Sequence, residues 1–397
     1  MTLLSIGDEV REGTYWLHSR FHRAINFTDG RRLVTLVTPD IGAGPVNIVF
    51  ANLPTQLHTN RPRARESGSP SPRPRPSPQL LAWPQPLSSP RAPASHRPPA
   101  WPHPLDQPGL GITAHESPIG SPLRSTPDTC EFSPPPTRSR SSLAGPTLHI
   151  GRYSILLANR RWSLTQAQSY RSLLHIEEEV RRPVFRRNLR TLERFLIAEA
   201  HAKSLAFLLD EQRTEVFRTG FEKAFARRIR EGVEKLFHPG ATRATAAFGT
   251  KLLAGCGFGL TPSGDDFIAG VLIALNVLQT LTGRDFTGTI NNVCKAAEGE
   301  NLLSNAFLVL ARDGRLTEKT QELVSALLSR GATQVRSAAR TMLAVGETSG
   351  ADWMTGFVVT ARNGVHRLWP EHPMRPCCCQ PSRQPAGRCR RPCRARC

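Results

Sequence analysis

The chain has 397 residues, a net charge of +20 and 39% hydrophobic residues. This length alone suggests two or three domains, but 23 of the 34 prolines lie between Leu53 and Pro146, mixed with Ser and Arg. Such a composition offers too little clustered apolar surface to offset the entropy of ordering the chain. Segment 54–146 is therefore predicted to be a disordered insertion. A similarly biased tail follows, which leaves roughly 275 residues to fold.

The positive charge is concentrated in these two biased segments. The insertion has ten Arg against five acidic residues, and the tail from Glu371 has seven Arg against one Glu, so together they carry +11 of the +20. The remaining +9 is ordinary for a protein that handles small anions. The charge pattern therefore disfavours nucleic acid as a partner of the folded part.

The spacing of the cysteines indicates whether the chain could bind zinc, and the N-terminal sequence indicates whether it could be secreted. Six of the nine Cys lie in the tail, and their spacing fits no common zinc-ligand pattern. The N-terminus MTLLSIGDEVREG lacks a basic region followed by a long apolar core. The longest apolar run, Phe267 to Leu278, is too short to span a bilayer. We expect a cytoplasmic protein with no membrane partner and no metal.

The first fifty residues are predicted to form strands. Segments TYWLHS, RAINF, RRLVTLVT and PVNIVFA are rich in β-branched and aromatic residues and are separated by turn signals. A further strand, YSILLAN, follows the insertion from Tyr153. The pattern predicts an antiparallel sheet or small barrel formed by 1–53 and completed by 147–181, with the insertion leaving from one of its edges.

From about Arg182 the hydrophobic pattern becomes helical. LRTLERFLIAEAHAKSLAFLLD and TEVFRTGFEKAFARRIREGVEKLF have apolar residues at helical spacing, and five further helical segments follow, each ending at or near a Gly. The fold class is therefore predicted to be α+β, with an N-terminal antiparallel β-rich part and an all-helical C-terminal part. The helical domain is placed at 182–366, and a disordered Cys/Arg-rich tail at 367–397.

One motif occurs twice in the helical part. SGDDFIAG at 263–270 aligns with SGADWMTG at 349–356, and each copy opens an apolar helical run. A Ser at the N-cap with a carboxylate three residues later forms a capping box, and an Asp in the first turn meets the positive end of the helix dipole. The simplest interpretation is two well-capped helices, which we favour for the second copy.

The first copy has more than a cap requires. Gly255, Gly257 and Gly259 would let the backbone approach a ligand closely, and free N–H groups at such a helix start form an anion site. The missing Gly-Lys-Ser/Thr ending excludes a Walker A loop. Of the adjacent Asp265 and Asp266, one carboxylate would cap the helix and the other would bind a metal, orient an amine or act as a base. We therefore expect a functional role for this copy.

Polar residues of the predicted strands supply further candidates. His18 and Ser19 form a candidate base and donor pair, although a lone His near an aromatic strand is more often structural. Asn26 and Asn47 lie in strands, where Asn is disfavoured, so their amides either pin loops or recognise a carboxylate or amide ligand. Arg312, Arg315 and Arg336 are candidate anion partners, although a solvated charge is the default for arginines on exposed helical faces.

An ordered set of segments resembles the AllH-type subunit family of oxamate carbamoyltransferase. The segments are HSRFHRAINF, GPVNIVF, GFGLTPSGDDFIAGVLIAL, NLLSNAFLVLARDGRLTE and VGETSGADWMTGF, of which the GLTPSGDDF part is the most specific. The likeness covers Thr14 to about Ala51 and Leu148 to about Asn363, and the insertion and tail have no counterpart. The resemblance implies a subunit of a multi-subunit enzyme of allantoin (purine) catabolism. That enzyme interconverts oxalurate plus phosphate with oxamate plus carbamoyl phosphate.

The resemblance also implies partners and a set of motif positions, whereas the roles of the site residues are inferred from their chemistry. The partners would be other subunits of the carbamoyltransferase complex and small anionic substrates, oxamate and carbamoyl phosphate, with no cofactor. The predicted catalytic residues are Asp265, Asp266 and His18. The predicted substrate-binding residues are Gly257, Gly259, Leu260, Thr261, Pro262, Ser263, Gly264, Ser19, Asn26, Asn47, Ser349, Gly350 and Asp352. Backbone N–H groups from Thr261 to Gly264 are expected to hold a phosphate or carboxylate oxygen.

Other classes of function stay open. In a non-catalytic scaffold subunit, the two motifs would be helix caps and other chains would hold the chemistry. In a basic nucleic-acid-binding protein, deleting the two biased segments would remove the binding. A small-molecule kinase is disfavoured because the sequence lacks a nucleotide loop with its lysine.

Overall fold

The computed structural model describes residues 2–54, 146–176, 181–257 and 259–368. All of them belong to one compact unit. The predicted disordered insertion and tail lie almost entirely outside the described residues. Their predicted disorder therefore stays a prediction.

Nine described strands form one sheet in the order β8-β7-β6-β2-β3-β4-β5-β1-β9. Their bounds are β1 Leu3–Gly7, β2 Gly13–Arg20, β3 Ala24–Thr28, β4 Leu33–Val37, β5 Asn47–Phe50, β6 Thr147–Ile150, β7 Ser154–Leu157, β8 Arg160–Ser163 and β9 Gln168–Tyr170.

The sheet confirms the predicted β-rich N-terminal part. Most pairings are antiparallel, while β4 pairs with β5 and β1 pairs with β9 in parallel. Strands β5 and β6, which flank the insertion, each have a neighbour on both sides. The prediction that the insertion leaves from an edge of the sheet is therefore wrong. Strands β1, β6, β8 and β9 were not predicted. They have only three to five residues each, too few to show a clear alternation of apolar and polar residues.

The helical part follows the sheet and confirms the α+β class. Its helices are α1 Arg182–Glu199, α2 Gly220–Phe237, α3 Arg243–Leu253, α4 Ser263–Thr282, α5 Thr287–Ala297, α6 Leu302–Arg312, α7 Glu318–Ser329, α8 Ala332–Leu343 and α9 Ser349–Leu368. Two short 3-10 helices, Leu205–Leu208 and Glu211–Val216, separate α1 from α2.

The first two predicted helices are shorter than the hydrophobic pattern suggests. Helix α1 ends at Glu199, and the apolar residues that follow form the 3-10 helix at Leu205. Helix α2 begins only at Gly220, because Thr219 and Glu222 form a reciprocal capping box at that point. The periodicity alone does not detect these boundaries, since the apolar spacing continues through them.

Helix α4 lies in the helical core. Thirteen of its twenty residues are buried, including Phe267 and Leu272. By length and composition α4 is apolar enough to cross a membrane, although its central run looked too short in the sequence. However, 72% of its most apolar window is buried inside the protein, as in a core helix.

Helices α4 and α9 cross in close contact and run parallel. The hydroxyl oxygens of Ser263 and Thr348 are 3.5 Å apart near the two N-terminal ends, and Leu278 meets Gly364 farther along both helices. At the crossing, a Cβ on Gly270 would lie 2.0 Å from the carbonyl oxygen of Trp353. Only glycine therefore allows this approach, and it brings the two copies of the repeated motif together.

Two groups of residues join the sheet to the helices. Leu33 and Val46 of the sheet part pack with Leu303 of α6 in a small buried cluster. The guanidinium of Arg315 donates to the carboxylate of Asp8 at 3.1 Å and also pairs with Glu9. The interpretation of Arg315 as an anion partner is therefore wrong, because acidic residues of the chain already occupy its donors.

Candidate functional site

The loops before α4 and α9 have the same local structure. In each, the glycine after the motif serine donates to a carbonyl of the preceding loop: Gly264 N–H to Cys256 O at 2.8 Å, and Gly350 N–H to Val345 O at 3.0 Å. A Cβ on either glycine would lie within 2 Å of a carbonyl oxygen at the end of the preceding helix. The short sequence repeat therefore corresponds to a repeated helix-loop-helix structure, α3–α4 and α8–α9.

The predicted capping box at the start of α4 is wrong. Ser263 is the first residue inside the helix, and the N-cap position is occupied by Pro262 without any side-chain cap. Proline also has no N–H group for a carboxylate to cap. The Ser263 and Asp266 side chains are thus available for other contacts.

The glycines of the first loop are required by the loop itself. Gly255, Gly257 and Gly259 have φ values of +69°, +121° and +106°, which residues other than glycine rarely adopt. A Cβ on Gly257 would also lie 2.5 Å from the backbone nitrogen of Ser263. The close approach is therefore made within the chain, so these glycines do not by themselves indicate a ligand.

The predicted backbone anion site has fewer free N–H groups than the sequence suggests. Pro262 has no N–H group, and the N–H of Gly264 donates to Cys256 within the loop. The expectation that N–H groups of this stretch hold an anion stays a prediction, which now depends on Thr261 and Ser263. The exposed Leu260 contributes its carbonyl, which accepts a hydrogen bond from the Asn301 side chain at 2.9 Å.

The two adjacent aspartates of the first motif make different contacts, and neither caps α4. The buried Asp265 accepts a hydrogen bond from Gly255 N–H at 2.7 Å and so holds the glycine loop against α4. The partly exposed Asp266 accepts from the hydroxyl of Thr261 at 3.1 Å. Asp265 therefore acts on the loop, whereas Asp266 faces the meeting point of the two motifs.

The aspartate of the second motif is fully buried. One carboxylate oxygen of Asp352 accepts a hydrogen bond from Leu205 N–H at 2.6 Å, which anchors the 3-10 helix to the start of α9. The other oxygen, Oδ2, is buried and has no partner at hydrogen-bonding geometry among the described residues. This pairing joins two segments 147 residues apart, and the sequence gives no signal for it.

The serine of each motif interacts with the aspartate of the other motif. The Ser349 hydroxyl at the start of α9 interacts with Asp266 of α4 and lowers its pKa, and the Ser263 hydroxyl of α4 does the same for Asp352 of α9. We call the six side chains at this meeting point the helix-start cluster. It consists of Thr261, Ser263, Asp266, Thr348, Ser349 and Asp352. Three of these residues come from each repeat.

Burial dominates the electrostatics of the cluster. It raises the pKa of Asp266 to about 8, and the neighbouring charges of Asp352 and Asp265 raise it as well, while hydroxyl hydrogen bonds lower it. Burial also raises the pKa of Asp352 to about 7, against the opposing effect of the Leu205 N–H. At neutral pH the cluster therefore retains protons that exposed carboxyls would have lost. No group of three or more His, Cys, Asp or Glu side chains within the described ranges could hold a metal.

A second polar group lies on the sheet. Ser19, Asn26, Thr35 and Asn47 occupy paired positions on β2, β3, β4 and β5, so they form one row across a single face. Asn26 donates to the Ser19 hydroxyl at 3.0 Å, and Thr35 donates to Asn26 at 2.9 Å. Asn47 donates to the carbonyl of Gly42 at 3.1 Å, as expected for an amide that pins a loop.

His18 lies at a β-bulge beside this row. The register of β2 against β3 shifts between Leu17 and Ser19, and the His18 ring nitrogen is 3.1 Å from the Ser19 hydroxyl. Bulges often re-aim a side chain next to a functional site. The hydrogen bonds of His18, Ser19, Asn26 and Asn47 stay within the first fifty residues. Their catalytic or substrate-binding roles stay predictions.

Sequence reasoning missed Leu205, whose backbone N–H anchors Asp352. Leu205 lies far from both motifs in the sequence and carries no signal for this contact. Thr348, which directly precedes the second motif in the sequence, belongs to the helix-start cluster.

Stability should depend on pH through the cluster. A carboxyl whose folded pKa is raised stabilises the fold below its unfolded pKa, near 4, and this contribution is lost as pH rises through the folded pKa, here about 8 for Asp266. We expect the free energy of unfolding to fall by roughly 3 kcal/mol between pH 5.5 and 9 on this account. Asp266→Asn should reduce this decrease in the free energy of unfolding with pH, because Asn stays neutral. Urea unfolding at pH 5.5, 7 and 9 measures both slopes, and equal slopes would contradict the expectation.

Comparison with known proteins finds a family match within the helical part. Residues 253–361 match the family model described as oxamate carbamoyltransferase subunit AllH. Neither the search of curated proteins nor the search of solved structures returned a significant match. The matched region begins at the end of α3 and includes both copies of the repeated motif. This part of the chain is therefore similar to an AllH-type family, whose name denotes a subunit of oxamate carbamoyltransferase.

Proposed function

We propose that this chain is a subunit of an oxamate carbamoyltransferase-like enzyme and that its helix-start cluster binds the anionic substrate. The reaction would convert oxalurate and phosphate into oxamate and carbamoyl phosphate, as part of allantoin catabolism. The observation that carries the proposal is the convergence of two motif copies, both inside the matched region 253–361, on a cluster of hydroxyls and coupled carboxyls.

The chemistry of such a transfer needs positioning and charge stabilisation more than a strong nucleophile. Hydroxyls of Thr261, Ser263 and Ser349 are donors that can turn towards a carboxylate or phosphoryl oxygen. The parallel starts of α4 and α9 add the positive ends of two helix dipoles at the same place. Side-chain hydroxyls, rather than the N–H of Gly264, which already donates to Cys256, would therefore hold the anion.

Protonation of Asp266 explains how a cluster that contains two carboxyls can bind an anionic ligand. An ionised Asp266 would repel the ligand, whereas a protonated Asp266 can donate a hydrogen bond to it. Because burial raises the pKa of Asp266 to about 8, the neutral form prevails at pH 7. In the proposed reaction Asp266 orients the amide of oxamate or the carbamoyl NH₂, and it can exchange a proton with the nitrogen that gains or loses the carbamoyl group.

Binding of oxamate to the full chain tests this proposal. Oxamate keeps one negative charge between pH 6 and pH 9, so a change in its affinity reports on the protein. We expect binding to be at least about tenfold weaker at pH 9 than at pH 6, since ionised carboxylates repel the ligand. Isothermal titration calorimetry at the two pH values measures the ratio.

Two substitutions control this experiment. Asp266→Asn should remove most of the pH dependence, while Asp285→Asn should leave it unchanged. Asp285 is an exposed carboxyl just beyond the opposite end of α4, about 30 Å from the cluster. Absence of oxamate binding at both pH values would count against a substrate site in this chain.

A scaffold role without catalysis is the second candidate, and a specific observation favours it. The glycine loop before α4 is occupied by contacts within the chain, including Gly264 with Cys256 and Asp265 with Gly255. In that case the two motifs would serve only to join α4 and α9, and the substrate would contact other subunits. Unaltered turnover after changes to the cluster would support this candidate.

A further inference from the structure

A cavity of about 540 Å³ lies among helices α2, α3, α4, α5 and α9, outside the helix-start cluster. Its volume is in the range of small-molecule sites, which is roughly 300 to 1,000 Å³. Leu275, in the α4 wall of the cavity, lies about 14 Å along that helix from Asp266. None of the described lining residues belongs to the helix-start cluster, so the cavity is separate from the site proposed above.

The walls of this cavity are mainly apolar. Val271, Leu275 and Leu278 recur at helical spacing along one face of α4. Phe286 and Val293 contribute further apolar side chains from the start and the middle of α5. Such walls lose contact with water when an apolar group enters, which favours binding of a ligand with an apolar body.

Several polar side chains of the lining already have partners within the chain. The hydroxyl of Thr360 and the amide of Asn363 each donate to the carbonyl four residues earlier in α9. Asp285, the acidic side chain among the described lining residues, accepts the N–H of Thr287 at 2.8 Å and so caps the start of α5. These groups therefore do not require a ligand.

Two other side chains of the lining can donate to an anion. Arg243, at the start of α3, forms no ion pair within the described part of the chain. Its Nη2 lies 3.9 Å from the position of a Cβ on Gly288, beside the positive end of the α5 dipole. His238 Nδ1 accepts the N–H of Gly240 at 3.1 Å, so the neutral ring has its hydrogen on Nε2. The polar part of the cavity thus favours a negatively charged group.

We propose that this cavity is a second ligand-binding site, which takes a small amphipathic anion with a ring-sized apolar body and one carboxylate, sulfonate or phosphate group. The apolar body would lie against Leu275 and Phe286, while Arg243 and His238 would hold the anionic group. Oxamate has no apolar body, so it would not use this cavity. The second site therefore does not depend on the function proposed above.

Fluorescence titration of the full chain with 8-anilinonaphthalene-1-sulfonate tests this proposal. This probe joins an apolar ring system to one sulfonate group, and its emission increases in apolar surroundings. We expect saturable binding with an affinity that does not change when oxamate is added. No increase in emission, or displacement of the probe by oxamate, would overturn the proposal.

Two substitutions in α3 locate the bound probe. Ala246→Leu would extend a larger apolar side chain into the cavity and should weaken probe binding about tenfold or more, whereas Ala244→Leu, at an exposed position of the same helix, should not. Arg243→Gln should weaken probe binding about tenfold, because it removes a charge-assisted hydrogen bond. Arg227→Gln, which changes an exposed arginine of α2 outside the lining, should leave binding unchanged. Unchanged binding in both cavity variants would show that the probe lies elsewhere and would overturn the proposal.

An uncharged probe separates the effect of charge from that of shape. N-phenyl-1-naphthylamine has the same ring system without the sulfonate. Ala246→Leu should weaken the binding of both probes, whereas Arg243→Gln should weaken only the binding of the anionic one. An equal effect of Arg243→Gln on the two probes would overturn the anionic class of ligand. A probe affinity that falls as the chain concentration rises would show instead that a second copy of the chain covers the cavity.

Discussion

In the carbamoyltransferase complex that we propose for this chain, replacing Asp266 with Asn is expected to lower turnover by about 10²–10⁴-fold, the usual contribution of a positioned acid or base. Asn keeps the size of the side chain but cannot release or accept the proton that the raised pKa of Asp266 makes available near pH 7. The measurement is carbamoyl phosphate formation from oxalurate and phosphate, with the variant chain combined with its partner subunits.

The controls for this experiment separate chemistry from folding. At pH 7 the variant should unfold at the same or a higher urea concentration, because an uncharged side chain replaces a buried acid. Asp285→Asn, which changes an exposed carboxyl, should retain full turnover. If Asp266→Asn retained turnover within a factor of two, Asp266 would not be catalytic and the scaffold role would be favoured.

Replacing Gly270 with Ala is expected to destabilise the protein by about 3 kcal/mol or more. Alanine is the better helix former by about 1 kcal/mol, which on its own would stabilise α4. Its Cβ, however, would lie 2.0 Å from the carbonyl oxygen of Trp353 and 2.9 Å from the nitrogen of Phe357. Both are backbone atoms, so α4 and α9 must separate, and overpacking of this kind outweighs the gain in propensity.

A matched glycine in another helix controls for helix propensity. Gly288 lies in the first turn of α5, where a Cβ would meet only the end of the flexible Arg243 side chain at 3.9 Å. Gly288→Ala should therefore be neutral or slightly stabilising. Urea unfolding of both variants gives the difference, and equal stabilities would show that the α4–α9 crossing tolerates separation. Gly356→Ala, at the symmetry-related position, should behave like Gly270→Ala.

The repeated motif shows how far local sequence information reaches. The sequence identified both copies and correctly predicted that each opens a buried helix. It predicted a capping box for the first copy, because Ser followed three residues later by Asp matches that pattern. The helix instead begins one residue earlier than a capping serine requires, with Pro262 at the N-cap and Ser263 as the first helical residue. The spacing of residues in a motif does not determine the residue at which the helix begins.

The meaning of the glycines also changed with the structure. In the sequence, Gly255, Gly257 and Gly259 suggested a close approach to a ligand. In the structure all three have positive φ, and Gly257 lies against Ser263 of the chain itself. A need for glycine is visible in a sequence, but the atom that approaches it is not. The case for a site now depends on the side chains of the helix-start cluster.

The sequence by itself determined the α+β class, the order of the main strands and helices, the AllH-type resemblance and the repeat. All of these depend on local periodicity or on short ordered motifs. Only the tertiary structure decided that α4 and α9 run parallel, that Asp352 anchors Leu205, and that serines of one motif reach aspartates of the other. These features join segments about 85 to 147 residues apart. They depend on burial and packing, which raise the carboxyl pKa values and which no local pattern encodes.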